Sequence, residues 1–100
     1  MTTPNANTIA AVPDVQVDND RICVTRWSFA PGAETGEHIH GYDYCVIPMR
    51  DGVLKIVAPD GTETLAELKA GVSYYRPKEV HHNVINANDF DYSFVEVEIK

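Results

Sequence analysis

Basic residues are scarce in this chain, and their scarcity excludes two classes of partner. The 100 residues include 8 lysines and arginines against 15 aspartates and glutamates, so the formal net charge is −7. Nucleic acids require a basic surface that neutralises their phosphates, and anionic membrane surfaces attract basic segments. We therefore expect neither nucleic acid nor a membrane as a partner of this chain.

Long apolar runs and export signals are also missing. No apolar stretch approaches the ~20 residues that a transmembrane helix needs. The first residues lack the basic start and apolar centre of a signal peptide. Cys23 and Cys45 are the two cysteines, which is too few for a disulfide framework. These absences predict a cytoplasmic protein.

The length and local composition predict one folded domain behind a short arm. Residues 1–13 contain two prolines and several asparagines and threonines, so we expect a flexible N-terminal arm there and a single domain over residues 14–100. So short a chain buries only about two-thirds of its unfolded surface, and self-association would add stability. We expect a homodimer.

Short β-type runs separated by turn residues fill the predicted domain. No window has a sustained helical period of 3.6 residues, so the pattern predicts an all-β fold, an antiparallel barrel or sandwich. Asp51-Gly52, between two apolar runs, predicts a hairpin turn. In the last run, Ser93, Val95, Val97 and Ile99 share one face. The runs cover residues 21–29, 37–40, 44–48, 53–58, 62–68, 72–76, 81–86 and 92–99.

Two histidines with a single residue between them suggest a metal site. Side chains two apart on a strand project from the same face ~6.6 Å from each other, so His38 and His40 can share one ion. The third imidazole would come from a neighbouring strand, and His82 is the candidate. Imidazole suits Fe, Ni, Zn and Cu, and three protein ligands with open positions are typical of a catalytic site.

The spacing around these histidines resembles the two sequence motifs of the cupin superfamily. The first motif, G-x5-H-x-H-x3-4-E-x6-G, is matched except at its glutamate. The second, G-x5-P-x-G-x2-H-x3-N, is matched except that Glu79 stands at its middle glycine. The matching residues are Gly32, His38, His40 and Gly52, then Gly71, Pro77, His82 and Asn86.

This resemblance implies a fold, a site and an assembly. It implies a cupin jelly-roll β-barrel of about eight or more short antiparallel strands, with the three histidines directed inward around a divalent metal. Cupins of this size are commonly dimers. The flanking residues resemble a small single-domain group of cupins that includes members associated with beta-alanine degradation, an association that names no reaction.

The missing glutamate is the main departure from the cupin pattern. The pattern places it three or four residues after the second histidine, at Tyr44 or Cys45. Alternation from His40 directs Tyr44 toward the metal, whereas counting back from Gly52 selects Cys45. A bulge near Pro48 would reconcile the two counts, and we favour Tyr44. Three neutral imidazoles would leave a bound dication at +2, which favours an anionic ligand.

Tyr44 and Arg76 are the candidate catalytic residues. Tyr44 could be a weak ligand, a hydrogen-bond donor to substrate or a pocket wall. Arg76 could hold a substrate carboxylate through two hydrogen bonds, or pair with one of the many surface acids. Asp43 is a candidate acceptor for an imidazole N–H. His81, next to His82, is predicted to point outward.

Two functional hypotheses follow from this constellation. The first is a metal-dependent enzyme that acts on a small anionic metabolite by oxygenase, isomerase or decarboxylase chemistry, with Fe, Ni, Zn or Cu as cofactor. The alternative is a non-catalytic cupin that binds a small molecule or serves as a scaffold. A fold of this kind supports many unrelated reactions, so the fold does not determine which of these reactions takes place.

Overall fold

Nine β-strands make up the regular structure in the computed structural model, which describes residues 9–100. Eight of them confirm the predicted runs to within two residues at either end. Among the described residues there is no helix, and hence none that could cross a bilayer. The strands are β1 (Val12–Asp18), β2 (Ile22–Phe29), β3 (His38–Ile39), β4 (Asp43–Pro48), β5 (Gly52–Val57), β6 (Glu63–Leu68), β7 (Tyr74–Arg76), β8 (His81–Asn86) and β9 (Tyr92–Ile99).

The strands form two sheets that face each other. One sheet has the order β1-β2-β9-β4-β7 and the other the order β3-β8-β5-β6. Every pairing between these strands is antiparallel. The predicted all-β jelly-roll barrel is therefore confirmed.

Strand β1 corrects the predicted boundary of the N-terminal arm. Val12 and Pro13 pair with Ser28 and Trp27 of β2, and the Ala11 N–H donates to the Glu34 carbonyl over 2.8 Å. Pairing thus begins before residue 14, and residues 1–8 of the predicted arm lie outside the described part. Pro13 is tolerated because β1 is an edge strand, where a missing N–H breaks no ladder.

The hairpin predicted at Asp51-Gly52 is wrong. Strand β4 pairs with β7 and β9, whereas β5 pairs with β6 and β8, so the chain crosses here from one sheet to the other. Gly52 is needed for a close approach instead. A Cβ atom at Gly52 would lie 2.5 Å from Cε1 of Tyr92, a side chain that is itself fully buried.

The apolar core fills one end of the space between the sheets. Phe29, Leu54, Tyr92 and Phe94 are all nearly inaccessible to solvent. The buried Asn86 amide closes this end by donating to three backbone carbonyls, those of residues 29, 30 and 90. Leu54 and Phe94 of this core also line a cavity between the sheets.

Candidate metal centre

The register of two short strands brings the three predicted histidines together. His38 of β3 pairs with His82 of β8, and the backbone of His40 exchanges hydrogen bonds with Glu79 and Val80 just before β8. Nε2 of His40 lies 3.0 Å from Nε2 of His38 and 3.1 Å from Nε2 of His82. Three ring nitrogens therefore converge on one point.

The turn before β8 holds this arrangement with an unusual backbone conformation. Glu79 has a φ of 72° and is the one non-glycine residue with positive φ in the described part of the chain. Its N–H donates to the His40 carbonyl over 2.7 Å. This is the position where the cupin motif has glycine, because only glycine adopts such a φ without steric cost.

Backbone contacts fix the tautomer of His38. Its Nδ1 lies 2.8 Å from the Gly36 carbonyl, an acceptor, so Nδ1 carries the hydrogen and Nε2 keeps a lone pair for a metal. The expected role of Asp43 as an imidazole acceptor is wrong. Asp43 accepts hydrogen bonds from the Tyr75 hydroxyl and the Lys78 N–H instead, because it belongs to the outer face of β4.

Burial keeps two of the imidazoles neutral. Desolvation, followed by the nearby His38, lowers the pKa of His40 from 6.5 to about 4. Desolvation and the two other histidines lower the pKa of His82 to about 3. Metal binding requires the neutral imidazole, so both rings are in their metal-binding form at neutral pH.

The geometry of the three nitrogens fits a single transition-metal ion. Two donors that each lie ~2.0–2.1 Å from one ion are ~2.8–3.4 Å apart at angles between octahedral and tetrahedral. The measured separations of 3.0 and 3.1 Å lie within this range. The three histidines are a group that could hold a metal, and their role as ligands stays a prediction.

His81 lies apart from this group, as predicted. Its side chain is partly exposed, and Nε2 lies 2.9 Å from a carboxylate oxygen of Glu37. Adjacent residues on a strand project to opposite faces, so His82 points inward while His81 points outward.

Tyr44, and not Cys45, projects toward the histidines. The Tyr44 ring stacks on the His40 ring with centroids 3.9 Å apart and an interplanar angle of 19°. The β4–β9 register continues to Pro48 without a bulge, so strict alternation from His40 gave the correct orientation. Burial, followed by Glu96, raises the pKa of the Tyr44 phenol, so its hydroxyl stays protonated and available as a donor.

Two carboxylates that the motif search missed stand beside His40. Glu96 and Glu98 of β9 each place an oxygen within 4.8 Å of a ring nitrogen of His40 and of each other. Burial, followed by the neighbouring Glu98, raises the pKa of Glu96 from 4.5 to about 7. The sequence signal for these glutamates is the alternation of residues 92–99. It places Glu96 and Glu98 on one face of the strand and the neighbouring valines on the other.

The histidines open into a cavity of about 470 Å³ between the sheets. Its deep wall is apolar, with side chains such as Trp27, Leu54 and Phe94. Its polar residues include the three histidines, Tyr44, Glu67, Glu96, Glu98 and Arg76. Arg76 is exposed, and its guanidinium carbon lies 5.1 Å from the centre of the Tyr74 ring. The cavity thus combines an apolar interior with convergent polar groups, which is typical of a small-molecule site.

Fold and site together define the class of protein: the chain belongs to the cupin family. It is 56% identical to the beta-alanine degradation protein BauB of Pseudomonas aeruginosa over 90 residues, which are 90% of this chain and 94% of that protein. A solved cupin domain from Bordetella pertussis matches with a TM-score of 0.91 and 49% identity over 96% of this chain and 99% of its own.

More distant structures share the fold alone. A double-stranded β-helix domain from Klebsiella pneumoniae matches with a TM-score of 0.73 and 21% identity over 97% of this chain and 81% of its own. No family model matches the chain. The resemblance drawn from the two motifs is therefore confirmed by whole-chain relatives.

Proposed function

We propose that this chain is a metal-dependent cupin enzyme that acts on a small metabolite bearing a carboxylate. The convergence of three imidazole nitrogens at a cavity wall carries the proposal, with Nε2 of His40 3.0 Å and 3.1 Å from those of His38 and His82. His38, His40 and His82 would hold Fe, Ni, Zn or Cu. When bound, the ion would supply Lewis-acid or redox chemistry at its remaining coordination positions.

The protein's own groups would bind and orient the substrate. The Tyr44 hydroxyl is buried and has no hydrogen-bond partner among the described residues, so it is available to donate to a bound molecule. Arg76, at the exposed edge of the cavity, is suited to a carboxylate. The apolar deep wall would exclude water. Oxygenase, isomerase and decarboxylase reactions are all compatible with this arrangement.

The charge of the site supports a revised view of its ligand. The missing motif glutamate suggested a site at +2 that favours anions, but Glu96 and Glu98 stand beside His40. Two ionised carboxylates would balance a bound dication. The preference for a carboxylate-bearing molecule then depends on Arg76 rather than on an excess positive charge at the metal.

The similarity to BauB suggests where the substrate belongs. That relative is named for beta-alanine degradation, and we propose that this chain acts on a small acid in a degradation pathway of the same kind. We propose a cytoplasmic location, in line with the unpaired Cys23 and Cys45.

Metal content per chain, measured by elemental analysis on protein without a histidine tag, tests the proposal. We expect near one equivalent of Fe, Ni, Zn or Cu, lost in His82→Ala. His81→Ala is the matched control, because the neighbouring side chain points outward to Glu37, and it should keep the metal. Absence of metal after reconstitution with each ion would refute the metal-dependent enzyme, and bound metal without turnover on small acids would favour the non-catalytic alternative.

A further inference from the structure

The wall opposite the histidines carries a row of functional groups in one register. Arg76 of β7 pairs with Tyr44 of β4, and Tyr44 pairs with Glu98 of β9. Directly paired residues project to the same face of a sheet, and all three line the cavity. A guanidinium, a hydroxyl and a carboxylate are therefore side by side across three strands.

Glu96 adds a second carboxylate one row deeper. It pairs with Val46 on the inner face of β4 and is 9% exposed. No hydrogen bond or ion pair is made by its carboxylate within residues 9–100. Glu96 lines the cavity, so its carboxylate without a protein partner is suited to a cationic ligand group.

The hydroxyl of Tyr44 is the second independent sign of a ligand. The residue is 2% exposed, its ring lines the cavity, and its oxygen has no partner in the described part of the chain. Buried hydroxyls are nearly always hydrogen-bonded. Tyr44 lies between Arg76 and Glu98 in the row, so its unsatisfied hydroxyl belongs to the same part of the site.

We propose that the cavity selects a small zwitterion, a molecule with a carboxylate at one end and a primary ammonium at the other. This rests on the proposed function of the same site. Arg76 binds the carboxylate, and Glu96 and Glu98 bind the ammonium. The two carboxylates lie close to His40, so the amine-bearing carbon is held beside the metal centre and the carboxylate toward the mouth.

The spacing of the row agrees with such a ligand. Neighbouring strands lie ~4.8 Å apart, so the β7 and β9 backbones are separated by ~10 Å. Arg76 and Glu98 project from these two strands to the same side, which suits a short molecule with opposite charges at its two ends.

Calorimetric titration of metal-loaded and metal-free protein tests this proposal. The probes are glycine, β-alanine and 4-aminobutyrate, each compared with the acid and the amine of the same chain length. We expect at least one zwitterion to bind ~10-fold or more tightly than both matched compounds, since only the zwitterion makes charge-assisted hydrogen bonds at both of its ends. If no zwitterion exceeds its matched acid, the proposal is overturned.

Variants assign the two ends of the ligand. Glu96→Gln and Glu98→Gln should each reduce zwitterion affinity ~10-fold while leaving acid binding unchanged, and Arg76→Gln should weaken both. Glu63→Gln, an exposed glutamate paired with Lys55 outside the cavity, should change neither. An unaltered zwitterion preference in both cavity glutamate variants would refute the assignment. Metal content is measured on the same samples, so failure of the metal site is detected separately.

Discussion

Among single residues, the three histidines were predictable and the two glutamates were not. The spacing of His38 and His40, with His82 in a second motif, indicates ligands of one metal ion. Side chains two residues apart on a strand project to the same face. Glu96 and Glu98 alternate with valines that look like the buried set. The local sequence does not show that the barrel interior is a polar cavity at this point. Assigning the apolar residues to the interior would therefore have turned the valines inward and the glutamates outward.

The buried carboxyl of Glu96 predicts a pH-dependent stability. Its pKa rises from 4.5 in the unfolded chain to about 7 in the folded protein, so the folded state binds the extra proton. Its contribution to the free energy of unfolding is then complete below pH 4.5 and is lost as the pH rises through 7. We expect Glu96→Gln to be more stable than the unchanged protein at pH 8 by about 3 kcal/mol, and nearly equal to it at pH 4.5.

Urea denaturation of metal-free protein at the two pH values measures this difference. Metal must be removed first, because a bound ion would stabilise the folded state by mass action. Glu63→Gln provides the control, since its exposed carboxylate pairs only with Lys55 over 3.8 Å among the described contacts. A Glu96→Gln variant that is less stable at pH 8 would show that the ionised carboxylate stabilises the fold.

Among the strands, those with a buried face were predictable, and β1 was not. All seven residues of β1 are exposed, so the alternation of Val15 and Val17 with polar neighbours corresponds to no buried face. The direction of Tyr44 followed from alternation because β4 continues through Pro48 without a bulge. Alternation therefore gives the direction of a side chain wherever its strand is regular and one face of that strand is buried.

The turn between β7 and β8 gives a prediction at this scale. Glu79 adopts a φ of 72°, and a side chain in the left-handed region costs about 1–2 kcal/mol that glycine avoids. We expect Glu79→Gly to raise the free energy of unfolding by about 1 kcal/mol, after the entropy lost by glycine on folding. Chemical denaturation of metal-free protein measures it.

Glu79→Ala is the matched control for this turn. It removes the carboxylate but keeps the Cβ atom, so it separates the backbone effect from the loss of a negative charge. We expect alanine to give no gain. Equal stability of the glycine and alanine variants would mean that the positive φ stores no strain.

For the whole molecule, the two motifs predicted the barrel but could not predict which of its strands pair. Asp51-Gly52 has the composition of a hairpin turn, yet it connects strands of different sheets. Pairing of β4 with β9 joins residues about fifty positions apart, and such long-range contacts leave no local signal. The cavity follows from this pairing, because it brings Tyr44 beside Glu98 and opposite the histidines.

We propose that the expected homodimer would form through the outer face of the five-stranded sheet. One row of paired residues crosses all five strands on this face and contains no charge: Val17, Val24, Val97, Cys45 and Tyr75. Val17 is 41% exposed and Tyr75 53% exposed. A second copy would cover this row with the same uncharged row in a two-fold arrangement.

We therefore expect dimers at micromolar concentration, measured by light scattering, and disruption by Val97→Lys. Val97 occupies the centre of the row, so a lysine there would place two ammonium groups together across the two-fold axis. A stable dimer buries about 800 Å² per partner, which this chain can supply from its total surface of 6083 Å². Leu65→Lys, at a 66% exposed residue of β6, is the control and should stay dimeric. A monomeric parent protein would refute self-association, and a dimeric Val97→Lys variant would exclude this face as its interface.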